Sequence, residues 1–200
     1  MASRVDICNL ALLFLGSGSK ITSLTDNNVA ARALNGCYDL LRKAELRANY
    51  WSFALKRDTL PALADAPAWG YQQKFQLPGD FLRLVQINDF YLIPAILDYN
   101  DADASAWAIE SGQVLTDYAA PLKIRYVWDV QDEGTFDALF NVSFATRLAH
   151  ATCEQITNSN TKKAALGEDY KKAIMLATRA GAIEKPPALI GDDSWVMSRL

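Results

Sequence analysis

Lys123-Ile124-Arg125-Tyr126-Val127-Trp128 alternates polar and apolar side chains with a period of two, whereas Phe136, Phe140, Phe144, Leu148 and Ala151 just beyond it recur at helical spacing. That change of period decides the fold class, because it closes a β-rich stretch and opens a helical one. The same change runs in reverse upstream. Val29, Ala33, Cys37, Leu40, Leu41, Ala44 and Ala48 fall at spacings of one, three and four, and from Trp51 the pattern Trp51, Phe53, Leu55 against Ser52, Ala54, Lys56 has period two. A β segment therefore lies between two helical ones.

The helical text is explicit at both ends. Ser3 and Asp6 form a helix start, and Val5, Ile7, Cys8, Leu10, Ala11, Leu12, Phe14 and Leu15 cover nearly every face, so this first helix is expected to be buried on most sides. Gly16 and Gly18 are expected to supply the positive-φ positions that stop it. Ser23, Thr25 and Asp26 signal a second start. The helix after them is expected to carry Arg32, Asn35, Asp39, Arg42, Lys43 and Arg47 on its solvent face, with Asp39 and Lys43 spaced for an ion pair. After the polar break Thr157 to Asn160, Leu166, Tyr170, Ala173, Ile174 and Ala177 continue the helical period, and two long helices joined by a short turn are expected to pack antiparallel.

Within the β segment, Leu77-Pro78-Gly79-Asp80 reads as a turn between strands Gln72 to Gln76 and Phe81 to Tyr91, and Ser111-Gly112 reads as a hairpin tip. The expected fold is α+β and mainly α: a four-helix bundle, a small antiparallel β insert between helices 2 and 3, and an extended C-terminal tail. The corresponding boundaries are 1–50 with 132–184 for the helical domain, 51–131 for the insert and 185–200 for the tail. Lys185-Pro186-Pro187 forbids further helix, and a tail ending in Trp195, Val196, Met197, Arg199 and Leu200 carries apolar side chains that need a surface.

Composition bounds the class. With 200 residues, 50% of them apolar and 22% charged, the chain is an ordinary globular one that can build its core without disulfides or metal. Its three cysteines, Cys8, Cys37 and Cys153, sit inside helical patterns and are expected to be reduced core thiols of a cytosolic product. The apolar run Ile7 to Leu15 is too short to span a bilayer, and Asp6 and Asn9 break it as a secretory signal. The net charge of −3 argues against a dedicated nucleic-acid binder. It is unevenly spread, however: residues 51–134 hold six basic and twelve acidic side chains.

Catalysis requires a constellation of groups. The single histidine, His150, lies three residues from Cys153, but Glu154 is the only further metal ligand close by, so a satisfied or solvent-facing imidazole is expected. Asp98, Asp101 and Asp103 lack the glycine and closing glutamate of a calcium loop; paired carboxylates of this acidic insert leave open a cell-wall glycosidase. Gly16-Ser17-Gly18-Ser19-Lys20 lacks phosphate-loop spacing, and Asn141-Val142-Ser143 is a glycosylation sequon inside a helix. Lys123 and Arg125 with Tyr126 and Trp128 are the best candidate for a DNA-binding module, although a half-buried strand produces the same alternation. No cofactor or catalytic residue is assigned.

The order of short motifs carries a resemblance. Ala2-Ser3 through Ala11 with Leu15-Gly16, Ile21-x-Ser23-Leu24-x-Asp26, Ala31-Arg32-Ala33, Tyr38-x-x-x-Arg42 and Trp51 to Arg57 come first. Leu77-Pro78-x-Asp80-x-x-Arg83, Leu115-Thr116-Asp117, Pro121-Leu122-x-Ile124-Arg125-Tyr126, Phe136-Asp137-x-x-Phe140, Arg147-Leu148-Ala149 and Asp193-Ser194-Trp195 follow. Together they resemble the tail tubular protein A family of short-tailed bacteriophages over almost the whole chain; Phe90 to Ala106 does not align. The resemblance implies a non-enzymatic virion protein, a head-to-tail adaptor present as a ring of twelve copies between the portal protein ring and the tail nozzle. DNA would pass through its channel without sequence-specific binding, and no membrane is involved. It also implies that the C-terminal segment reaches the portal, here through Pro186, Pro187, Trp195, Val196, Met197, Arg199 and Leu200, with Trp195 as the anchor. Arg32, Asp39, Arg42 and Arg47 are the candidates for contacts between ring subunits, and the acidic insert is a candidate for the channel or nozzle-facing surface.

Overall fold

A computed structural model of the chain describes residues 2–88, 90–91 and 107–183. The tail 185–200, with Pro186, Pro187, Trp195, Val196, Met197, Arg199 and Leu200, lies outside the described residues, as do Asp98, Asp101 and Asp103. Among the described residues the chain forms four helices and two antiparallel sheets.

Helix α1 (Arg4–Phe14) begins with a reciprocal cap: the Ser3 hydroxyl accepts from the Asp6 N–H, and the Asp6 carboxylate accepts from the Ser3 N–H at 2.9 Å. Those bonds hold the Asp6 carboxyl below the usual carboxylate range. Ile7, Cys8, Ala11 and Leu12 are buried, and Asp6 and Leu13 form the exposed stripe. At the far end Gly16 has φ +62°, and the Gly16 and Ser17 N–H groups return to the carbonyls of Leu13 and Leu12. Gly18 has no positive φ, so one glycine suffices for the stop. The Lys162 ammonium donates to the Leu15 carbonyl and fills the space beside Gly16, where a Cβ would stand 2.9 Å from Lys162 Nζ.

Helix α2 (Val29–Ala48) starts later than the Ser23 to Asp26 signal predicts. Asn28 is its cap, accepting from the Ala31 N–H at 2.7 Å; Asp26 instead accepts from the Thr22 and Ser23 N–H groups and closes the preceding turn. Its orientation also differs from the expected one. Ala31, Ala33, Leu34, Tyr38, Arg42, Glu45 and Leu46 are buried, whereas Val29 and Leu40 are 51% and 73% exposed. The cause is Tyr38, whose ring meets Phe144 edge-on at 5.2 Å and turns the helix so that Arg42 and Glu45 point inward.

Helix α3 (Ala138–Thr157) is capped by Asp137, which accepts from the Leu139 and Phe140 N–H groups, and it ends at Asn158 with φ +52°. Helix α4 (Asn160–Ile183) runs back along it: Glu154 pairs with Lys163, His150 faces Gly167, and Arg147 lies over the Tyr170 ring, a register possible only for antiparallel neighbours. All three other helices pack on α3, whose Phe140, Phe144, Ala145, Leu148, Ala149 and Cys153 form the middle of the larger core.

Trp51 and Phe53 do not begin a strand. Ser52–Ala54 is a single 3-10 turn that swings both rings onto the helices, Trp51 at 4.9 Å and Phe53 at 5.1 Å from Phe140. Then follow β1 (Leu55–Leu60), β2 (Gln73–Gln76), β3 (Phe81–Ile87), β4 (Phe90–Tyr91), β5 (Trp107–Glu110), β6 (Gln113–Thr116) and β7 (Leu122–Trp128). The four-stranded sheet has the order β1-β7-β3-β4 and the three-stranded one β2-β6-β5. Ser111 (φ +49°) and Gly112 (φ +75°) make the β5–β6 hairpin tip expected from the sequence. Leu77 to Asp80 connects two different sheets, and the strand predicted over Phe81 to Tyr91 is divided at Asn88, where φ is +49°. Phe75, Leu84, Ile87, Val114, Leu122, Ile124 and Tyr126 fill a second, smaller core among the strands.

Phe140 is fully buried and its ring meets those of Trp51, Phe53, Phe136 and Phe144, so Phe140→Ala is expected to cost about 3–5 kcal/mol of unfolding free energy in urea melts.

Candidate functional site

The densest polar arrangement lies where α1, α2 and the chain leaving β7 meet. Arg42 is 3% exposed; its Nη1 donates to the Asp129 carboxylate at 2.6 Å and to the Val130 carbonyl. Lys43 lies 3.4 Å from the other Asp129 oxygen. Asp39 pairs with Arg4 at 2.9 Å and, more loosely, with Arg42 Nε at 3.7 Å. The Arg4 guanidinium stacks 4.2 Å from the centre of the Tyr38 ring, and the Tyr38 hydroxyl donates to Glu133. Burial pushes the Tyr38 phenol far above its ordinary value. The charged groups among these, with Gln131, line a cleft of about 460 Å³. Charges of both signs alternate in it, so it acts as an ionic joint between the helices and the end of β7.

A second polar knot sits under α4. The Tyr170 hydroxyl donates to Glu45 at 2.6 Å, and Arg147 Nε stands 3.5 Å from the same carboxylate oxygen. The other oxygen, Oε2, is buried without a hydrogen-bond partner. Burial raises the Glu45 pKa, and the Tyr170 bond and the Arg147 charge oppose that rise without cancelling it. The Trp51 indole N–H donates to the Glu45 backbone carbonyl at 3.1 Å, which ties this knot to the aromatic core.

Of the four subunit-contact candidates, Asp39 and Arg42 meet at 3.7 Å in the cleft, but the four do not gather at one place. Arg32 and Arg47 are fifteen residues apart on α2, a separation of ~22 Å at the helical rise. Arg32 is exposed, with Nη1 3.3 Å from the Asn27 side-chain oxygen; Arg47 is exposed and donates to the Leu82 carbonyl. Arg42, expected on the solvent face, is buried in the ionic joint, because Asp129 and the Val130 carbonyl draw it inward. The expected Asp39–Lys43 pair does not form, since Arg4 takes Asp39 and Asp129 takes Lys43. Sequence reasoning missed Arg4, Glu45, Asp129, Arg147 and Tyr170 as partners. Arg42 and Asp129 are 87 positions apart, so no local spacing announced them.

The chemical candidates resolve as follows. His150 packs beside Gly167, and burial, followed by the Arg147 and Lys163 charges, lowers its pKa. Cys153 faces the Thr157 hydroxyl and the Ser159 carbonyl. All three cysteines are free, and burial pushes the Cys8 thiol up to about 12, which suppresses its thiolate. Among the described residues no three His, Cys, Asp or Glu side chains are grouped to hold a metal. In the sequon, Ser143 is buried and donates to the Phe140 carbonyl. Tyr126 and Trp128 give no stacking platform: Tyr126 is buried with its hydroxyl on Asp80 at 3.0 Å, and Trp128 is half-buried beneath Lys56. Trp69, by contrast, is 86% exposed beside a hollow of about 500 Å³ on the three-stranded sheet.

No family model matches the chain, and no curated protein matches it. No helix among the described residues is long and apolar enough to cross a membrane.

Glu45 gives the knot a pH signature. A carboxyl whose pKa is raised on folding binds more protons folded than unfolded; its contribution to stability is present at acid pH and is lost as pH rises from 4.5 through the folded value. Glu45→Gln lacks this loss. The unfolding free energy of the wild type minus that of Glu45→Gln is therefore expected to decline across that window in urea melts, whereas parallel pH curves would contradict the assignment.

Proposed function

We propose that the chain is a structural virion protein, a head-to-tail adaptor that assembles as a ring of twelve copies between the portal and the tail nozzle of a short-tailed phage. In this reading α1–α4 act as one four-helix bundle, the strands between α2 and α3 are its insert, and the tail 185–200 grips the portal. The single observation that carries it is the order of segments: two helices, a block of antiparallel strands, two more helices, and then a proline-started, tryptophan-bearing tail. That order runs in step with the motif series of the tail tubular protein A family. DNA passes through the enclosed channel, so the protein acts mechanically.

Two features suit such a role. The ionic joint and the aromatic core couple helices to sheets, which lets a load applied to one part reach the other. Leu13, Leu40, Met175 and Leu176 stand exposed on three different helices, and heterologous contacts around a ring require two different surfaces on each copy.

Light scattering of the purified protein, alone and mixed with the portal ring, tests the reading beside a form truncated after Lys185. The full-length protein is expected to join the ring and the truncated form to stay free. A full-length protein indifferent to the portal would overturn the proposal.

A further inference from the structure

We draw no further inference here: the strongest candidate, the hollow of about 500 Å³ beside the exposed Trp69 on the three-stranded sheet, carries nothing, because nothing in the structure shows what covers it.

Discussion

The buried pair between Arg42 and Asp129 is the constraint on which the arrangement of helices and sheets depends. Two charges removed from water are tolerable only when each is fully answered, and here the answer requires α2, the end of β7 and the Val130 carbonyl to meet at one point. That meeting carries Val130 into the helical core and sets where the chain leaves the four-stranded sheet on its way to α3. Asp39 extends the constraint to α1 through Arg4, and Lys43 braces Asp129 from the solvent side. Three elements distant in sequence are thereby held in one geometry, with the aromatic cluster around Phe140 packed directly behind them.

What was legible beforehand was local. The Ser3–Asp6 cap, the Gly16 stop, the antiparallel pairing of the last two helices and the Ser111-Gly112 hairpin tip all rest on neighbours within a few residues, where side-chain chemistry acts directly on the backbone. What was not legible was decided over long range. On α2 the small residues Ala33, Cys37, Ala44 and Ala48 mark a face only weakly, so a single large side chain, Tyr38, set the rotation and drew Arg42 and Glu45 inside. Trp51 and Phe53 alternate with polar neighbours as a strand would, yet Phe136 and Phe140 offered them more buried area than a sheet edge could. The allocation of strands to two sheets was equally invisible, because pairing partners such as β1 and β7 are more than sixty residues apart.

The candidate site divides in the same way. The exposed candidates Arg32 and Arg47 were readable from helical spacing, whereas the partners that bury Arg42 and Glu45 belong to other elements. On β7, Lys123 and Arg125 show in the strand alternation, whereas their cross-strand neighbours Thr59 and Arg57 come only from the register of β1 against β7.

The most direct test of the joint is a double-mutant cycle on its central pair. Urea unfolding would be measured for the wild type, Arg42→Met, Asp129→Leu and the double variant. If the pair couples helices to sheets, each single change costs about 3–5 kcal/mol, because it strands a buried charge, and the double variant costs far less than their sum. Single costs that add to within about 0.5 kcal/mol would show that the two side chains do not act together, and would contradict the account.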